Sequence, residues 1–131
     1  EALHNHKAFF FDKSRDVLSI PISGDRKILE PSTGFAPEYD RWSGFYVFDL
    51  NKSEGFDQKG TITHSDGNSR YYGMNYARTF YIDDVLYTAS QRYLKMNSFD
   101  DLNEINSIKL ENTGKFIDYM EEPMMELELV R

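Results

Sequence analysis

The second half of the chain alternates short apolar runs with very short polar gaps. The runs are residues 78–82, 85–90, 93–99 and 104–110, and they are rich in β-branched and aromatic residues. Only two, two and four residues separate them. Gaps that short can join neighbouring strands only as hairpins. The pattern therefore predicts a four-stranded antiparallel meander over residues 78–110.

The first half repeats this pattern with longer connections. Predicted strands fall at residues 6–12, 17–22, 44–50 and 58–64. The run Phe10-Phe11-Asp12, followed by Asp16-Val17-Leu18, is similar to Tyr81-Ile82-Asp83, followed by Asp84-Val85-Leu86. We therefore align Phe10 with Tyr81 and interpret the two halves as copies of one four-stranded unit. Three consecutive Phe residues cannot share one face of a strand, so we expect both faces of the first strand to be covered.

Longer segments divide the chain. Residues 23–43 are a predicted loop that is longer than a hairpin needs, and such loops are usually functional or disordered. Residues 65–76 are the predicted connection between the two units. Residues 111–131 are acidic, with apolar and Glu residues alternating near the end. The predicted organisation is a first unit with long loops over 1–76 and a second unit over 77–110. An acidic appendage over 111–131 follows, which can add an extra edge strand.

The predicted core comprises apolar residues on these strands. They are Phe9, Phe11, Val17, Ile20, Phe45, Val47, Val85, Leu86, Leu94, Met96 and Ile108.

Composition excludes several partner classes. The formal net charge of −7 argues against a nucleic-acid backbone or an anionic lipid as partner, although such a charge also simply favours solubility. Cysteine is absent, which excludes disulfides and thiolate metal sites. No apolar stretch is long enough to span a membrane. The chain opens without a basic start and apolar run, so we expect no signal peptide, and an exported protein would be represented by a mature piece or an excised fragment.

Three sets of polar residues could suggest chemistry, and each has a simpler interpretation. Asp12, Ser14 and Asp16 have the spacing of a calcium loop but lack its later ligands, and hairpin turns favour Asp and Ser. The histidines at positions 4, 6 and 64 are too few to complete a zinc site without Cys. The acidic pairs at 83–84 and 100–101 fall where hairpins must turn. We therefore predict no catalytic, metal-binding or cofactor-binding residues and no cofactor.

Aromatic residues in the two long loops are the strongest candidates for recognition. They are Phe35, Tyr39, Trp42, Tyr71, Tyr72 and Tyr76. Aromatic side chains with a polar group are good anchors for a ligand. The same residues could instead close a small hydrophobic core beneath the loops. Both interpretations stay open at this point.

Four runs resemble a known family. They are EALHNHKAFFF at 1–11, GFYVFD at 44–49, RTFYIDDVLYT at 78–88 and LNEINSI at 102–108. In this order they resemble the C-terminal end of a family of secreted archaeal and bacterial β-propeller proteins, distantly related to WD-repeat proteins. The resemblance covers residues 1–110 and implies an extracellular or cell-surface location. It carries over no catalytic residues, because the family's activity is unassigned.

The fold class that follows is all-β, with two consecutive four-stranded meander blades of a β-propeller fragment and a C-terminal appendage. The function hypothesis is a non-catalytic binding or scaffold module of an exported protein, whose partner is a protein or another extracellular ligand. The alternative is a fragment of an extracellular enzyme whose active site lies on blades outside this chain.

Propellers need about four or more blades to protect their faces. We therefore also predict either self-association through blade faces or edges, or cover of the faces by residues 111–131 and the loop 23–43.

Overall fold

The computed structural model describes residues 6–27, 39–65, 74 and 76–110. A short 3-10 helix, His6–Ala8, precedes eight β-strands. The strands are β1 Phe10–Asp12, β2 Val17–Lys27, β3 Tyr39–Asn51, β4 Gly55–Thr63, β5 Arg78–Ile82, β6 Val85–Ala89, β7 Tyr93–Ser98 and β8 Glu104–Lys109.

These strands form two antiparallel sheets of four strands each, which confirms the all-β fold class. Sheet 1 has the order β1-β2-β3-β4 and sheet 2 the order β5-β6-β7-β8, so each strand pairs with its neighbour in the chain. The strands of sheet 2 agree with the sequence prediction to within one residue at every end. Short gaps between strands left no other pairing available, which explains this agreement.

Sheet 1 differs from its prediction at three places. The predicted first strand is a 3-10 helix over His6–Ala8, so β1 begins only at Phe10. Strands β2 and β3 extend into the segment predicted as the 23–43 loop and pair as far as Lys27 and Tyr39. Strand β4 begins earlier than expected because Gly55, with a φ of 84°, closes a tight turn directly after β3.

The two sheets share the same strand order and pairing pattern, and this pattern corrects the predicted alignment of the two halves. Phe10 pairs with Ser19 in sheet 1, and Phe80 pairs with Tyr87 at the same place in sheet 2. Phe11 is therefore the counterpart of Tyr81, and the sequence alignment of Phe10 with Tyr81 was wrong by one residue. That slip would move every side chain of the strand to the opposite face.

A β-bulge marks the same position in both copies. It follows Val47 in β3 and Met96 in β7, where one extra residue enters the neighbouring strand. Bulges are specific features of a strand pair, so their shared position fixes the equivalence of β3 with β7 and of β4 with β8.

The core lies between the two sheets. It contains Val17, Phe45, Val47, Ile62, Met74, Ala77, Leu86 and Phe99, with Phe10 and Leu102 packed against it. We call the two faces that meet here the inner faces, and the opposite faces the outer faces. The prediction of a buried core is confirmed for Val17, Phe45, Val47 and Leu86.

Other members of the predicted core lie on the outer faces. Ile20, Val85, Leu94 and Met96 are half-buried. Phe9, Phe11 and Ile108 are 49%, 46% and 46% exposed, so their predicted burial was wrong. Side chains alternate along a strand, which turns Phe10 inward and leaves Phe9 and Phe11 on the outer face of sheet 1. Within the described residues, nothing covers the first strand on both faces as expected.

The predicted division at residues 76 and 77 places one sheet on each side. Most of the connection (66–73 and 75) and the whole of 111–131 lie outside the described residues. The division into 1–76, 77–110 and 111–131, including the extra edge strand, therefore stays a prediction.

Candidate functional site

The two ends of the paired sheets differ in how their strands are joined. The guanidinium of Arg15, in the turn between β1 and β2, donates to the carbonyl of Asp83, in the turn between β5 and β6 (2.9 Å). The turns at 52–54 and 99–103 lie at this same end, which we call the turn end. The opposite end, the connection end, holds the ends of β2 and β4 and the starts of β3 and β5. The segments 28–38 and 66–73 therefore both leave and re-enter the fold there.

A two-stranded ribbon projects at the connection end. Strand β1 pairs with β2 only as far as Ser19, and β4 pairs with β3 only from Gly44. Beyond these points β2 and β3 pair only with each other, to Lys27 and Tyr39. At about 3.3 Å per residue, this ribbon is about 15 Å long. Its far end lies at Lys27 and Tyr39, the described residues on either side of positions 28–38.

Trp42 is fixed at the base of this ribbon. Its indole Nε1 donates to the Thr63 hydroxyl (3.2 Å), and its ring packs edge-on against Tyr46 (5.3 Å between centroids). The close approach of Gly44 makes room for the indole, because a Cβ at Gly44 would lie 2.8 Å from the Trp42 ring. Trp42 is therefore a strand residue with a held orientation and not the loop residue that the sequence predicted.

The other five recognition candidates fall in different categories. Tyr39 begins β3, so it too is not a loop residue, and its side chain lies outside the described part. Phe35, Tyr71 and Tyr72 lie outside the described residues altogether. Tyr76 lies two residues before the start of β5, at the connection end, and is 64% exposed. The described candidates are therefore brought to one end of the molecule, and recognition by them stays a prediction.

A buried histidine connects the two sheets near this end. His64, directly after β4, is 1% exposed. Its Nδ1 hydrogen-bonds the Ser90 hydroxyl and its Nε2 hydrogen-bonds the Thr88 hydroxyl, both at 2.8 Å. Its ring also packs edge-on against Phe45 (5.0 Å between centroids). Both ring nitrogens are therefore satisfied by residues of sheet 2, while the strand that leads into His64, β4, belongs to sheet 1.

Burial determines the protonation state of this histidine. Desolvation, with a further contribution from the nearby Lys95 cation, lowers the pKa of His64 to about 4, and Glu104 opposes this only in part. The imidazole is therefore neutral at pH 7, with one nitrogen donating and the other accepting. A hydroxyl can serve in either role, so Thr88 and Ser90 suit this neutral ring.

Sequence patterns gave no indication of His64 as a contact residue. The available signal was in strand β6, where the hydroxyl residues Thr88 and Ser90 occupy alternate positions on what becomes the buried face. Buried hydroxyls need partners, and a neutral histidine from the other sheet supplies them.

Arg15 makes the corresponding contact at the turn end. Its Cζ lies 4.5 Å from the ring centroid of Tyr81 and 4.3 Å from that of Phe99, both in sheet 2. The same guanidinium lies 3.7 Å from a carboxylate oxygen of Asp84. A planar guanidinium stacks on aromatic faces while it donates hydrogen bonds, so one side chain joins the two turns.

The outer face of sheet 1 carries a row of aromatic rings. The rings of Trp42, Tyr46, Phe48 and Phe56 contact one another in that order, with centroids 5.3 to 6.3 Å apart. Beside this row lies an open concavity of about 490 Å³ with a wholly apolar lining. Its lining residues are Phe9, Phe11, Leu18, Ile20, Phe48, Leu50 and Phe56. Such a surface is suited to burying another apolar surface.

The predicted turn interpretation of Asp12 is confirmed. Its carboxylate accepts hydrogen bonds from the Ser14 backbone N–H (2.8 Å) and the Ser14 hydroxyl (2.6 Å). The Ser14 hydroxyl is also the main cause that lowers the pKa of Asp12.

Over the part of the chain that the structure describes, no three His, Asp or Glu side chains are grouped to hold a metal ion. No helix in that part is long and apolar enough to cross a membrane.

Comparison with known proteins yields one match. No curated protein and no solved structure matches the chain. A family model described as a β-propeller domain matches residues 1–102, which include the strands β1 to β7. Two face-packed, four-stranded meanders agree with successive blades of that architecture. The chain therefore belongs to the β-propeller domain family.

Proposed function

We propose that this chain is a non-catalytic binding or scaffold module of an exported or cell-surface protein, which contacts its ligand at the connection end. A β-propeller domain is in general a binding or scaffold module. The observation that supports this surface is that both long connections start and finish at one end, where Tyr76 is 64% exposed. Among the described residues, the opposite end holds only the tight turns between strands.

The connection end combines fixed and exposed aromatic groups. Trp42 is held by Thr63 and Tyr46, so binding against its free edge would require little ordering of the side chain. Tyr76 presents a ring and a hydroxyl to solvent. Loops mounted on a rigid sheet are where proteins most often carry their binding residues. Phe35, Tyr39, Tyr71 and Tyr72 would extend this surface.

The class of ligand follows from charge and location. The net charge of −7 disfavours polyanions, so the proposed partner is a protein or another extracellular ligand without a strong negative charge. The exported location is supported by the resemblance of residues 1–110 to secreted β-propeller proteins. Protease added to intact cells should digest the protein if it is displayed or released, and it should leave the protein intact if the location is internal.

Photo-crosslinking tests the proposed surface. A benzophenone amino acid would replace Tyr76 in one variant of the full chain and Lys52, at the turn end, in a matched control. Both positions are exposed, so both probes reach solvent. We expect intact cells of the source to give a defined crosslinked product with the probe at position 76 and none at position 52. Equal products from both positions, or a product from position 52 alone, would contradict the proposal.

A further inference from the structure

The outer face of sheet 2 is apolar and still accessible in the described structure. Phe80 and Ile108 are 41% and 46% exposed, and Tyr87, Leu94 and Met96 are half-buried. The rings of Phe80 and Tyr87 are stacked, with centroids 5.0 Å apart. Surfaces of this kind mark sites of association. The register of the two sheets indicates what fits this surface.

Each position on the outer face of sheet 2 has a counterpart on the inner face of sheet 1. The strand pairings and the shared bulge make Phe80, Met96 and Ile108 equivalent to Phe10, Val47 and Ile62. The last three residues are the ones that sheet 1 packs against sheet 2. Sheet 2 therefore repeats, on its outer face, the surface that sheet 1 uses for packing.

The reverse equivalence holds for the outer face of sheet 1. There Phe11, Leu18 and Leu50 are the counterparts of Tyr81, Leu86 and Phe99. Leu86 and Phe99 belong to the core between the sheets, and the ring of Tyr81, which is 38% exposed, contacts Phe10 of sheet 1. The two outer faces are thus the two halves of the same kind of interface, displayed on opposite sides of one chain.

The histidine contact shows that these halves match each other in detail. The backbone N–H of His64 donates to the Ser43 carbonyl, and that of Leu110 donates to the Arg92 carbonyl at the equivalent place. Leu110 is therefore the counterpart of His64. The positions of its partners Thr88 and Ser90 are occupied in sheet 1 by Ile20 and Ile22. All three members of the buried polar contact have apolar counterparts.

A second polar contact changes in the same paired way. The hydroxyls of Ser19 and Thr79 hydrogen-bond across the inner faces at 3.0 Å. Their counterparts on the outer faces are the aromatic residues Tyr87 and Phe9. If an outer face packed against an inner face, Leu110 would lie against Thr88, or His64 against Ile20. Either contact would leave the polar side chain, Thr88 or His64, without a hydrogen-bond partner. Of the two faces of sheet 1, the outer face is the one that places an apolar residue opposite each of these positions on the outer face of sheet 2.

We infer that the outer face of sheet 2 packs against the outer face of sheet 1 of a second copy of this chain, in the arrangement that sheets 1 and 2 adopt within one chain. The contact joins two different faces, so it is head-to-tail and generates a ring when the rotation closes. Propellers close with about four to eight blades, so a ring built only from copies of these two blades would hold two to four copies.

The mass of the purified full chain is the first test. Sedimentation velocity at micromolar concentration should give a closed assembly of two to four times the chain mass of 15.4 kDa. A monomer would overturn the inference. A monomer in which residues 111–131 resist proteolysis would show that the tail, and not a second copy, covers a face.

Two single substitutions then test the head-to-tail geometry. Phe11→Glu places a charge on the outer face of sheet 1, and Ile108→Glu places one on the outer face of sheet 2. Both side chains are 46% exposed, so neither substitution disturbs the core. Each variant alone should be a folded monomer by circular dichroism. Because each retains one intact face, an equimolar mixture should form a 1:1 dimer of the two variants and nothing larger.

Other outcomes of this experiment overturn the inference. A homodimer of either single variant would indicate a contact between identical faces, and a mixture that stays monomeric would indicate no contact between the outer faces. Lys52→Glu, in the exposed turn between β3 and β4, is the matched control for charge and should assemble like the unmodified chain. If either variant fails to fold, Phe9→Glu and Phe80→Glu repeat the test on the same two faces.

Discussion

Two side chains join the sheets, one near each end of the fold, and they do so in opposite physical ways. His64 is almost completely buried and makes short hydrogen bonds to Thr88 and Ser90. Arg15 keeps 31% of its side chain exposed and lies over the rings of Tyr81 and Phe99. The first contact is enclosed by the core, and the second is open to water and salt.

This difference determines what each contact contributes to stability. Removal of one partner of a buried polar group leaves the other unsatisfied, which costs about 1–3 kcal/mol for each orphaned group. An exposed cation over an aromatic ring contributes only about 0.5–1 kcal/mol, because water competes for the cation. We therefore expect the connection end to depend on its polar contact far more than the turn end does. All unfolding measurements below use one fixed protein concentration, since association would otherwise shift them.

The largest loss should come from the apolar core that lies between these two contacts. Leu86 is 1% exposed and belongs to the core cluster. Leu86→Ala should lower the free energy of unfolding by about 2–5 kcal/mol, because it removes packed methylene groups and leaves a cavity. Urea denaturation followed by fluorescence measures this loss. A loss below about half a kcal/mol, well under the range for buried Leu, would show that Leu86 does not pack between the sheets.

Substitution of His64 should come next. His64→Leu should cost about 2–4 kcal/mol, since Thr88 loses its ring partner and the edge contact with Phe45 changes. Ser90 keeps the backbone N–H groups of Arg92 and Tyr93 as donors, so Thr88 is the main orphan. Adding Thr88→Val should restore part of the loss in the same denaturation assay. Equal or greater loss in the double variant would contradict the assigned contact.

Acid should weaken the connection end through the same histidine. The pKa of His64 is about 4 in the folded chain against 6.5 as its ordinary value. The unfolded chain therefore takes up a proton first as the pH falls, and stability present above pH 6.5 is lost between 6.5 and 4. The expected loss from pH 7 to pH 5 is about 2 kcal/mol. Chemical denaturation at both pH values should show this loss, and His64→Leu should remove most of it.

The turn end should respond more weakly. Arg15→Ala should lower the free energy of unfolding by about 1 kcal/mol, through loss of both ring contacts and of the bond to the Asp83 carbonyl. Arg15→Lys should recover only part of this, because an ammonium group lacks the planar stacking surface. A loss for Arg15→Ala as large as that for His64→Leu would remove the distinction between the two contacts.

The smallest expected effect is that of calcium at the turn end. The Oδ1 atom of Asp12 already accepts two hydrogen bonds from Ser14, so this oxygen is committed to the turn. Millimolar calcium or a chelator should leave the Tm unchanged within error, with Asp16→Asn as the matched variant. A Tm that rises sharply with calcium, and no longer does so in Asp16→Asn, would show that an ion binds there.

Sheet 2 could be predicted closely because its connections are so short that each run of apolar residues had to pair with the next. Sheet 1 could not, since residues 23–27 extend β2 without a single apolar residue. Such a segment lacks the apolar alternation that identifies a strand. The alignment of the two halves was displaced by one residue in the first strand, because the hairpin after Asp12 is longer than the one after Ile82.

Of the candidate site, the sequence indicated aromatic residues near the right connections but not how they are held. The indole of Trp42 depends on Gly44 and Thr63, which neighbour it only after β3 and β4 pair. His64 and Arg15 were missed for a related reason. Their hydrogen-bond partners lie 24 to 68 residues further along the chain, and no local sequence period connects such positions.

The chain-order pairing of all eight strands has a kinetic consequence. Within each sheet, the strands that hydrogen-bond to each other are consecutive in the chain. Each sheet can therefore form from contacts that are close in sequence. The two sheets meet through side chains such as Phe45 and Leu86, whose docking must wait until both surfaces exist. Native-state hydrogen exchange should then reveal two cooperative units, one for each sheet, whose opening is coupled through the shared core.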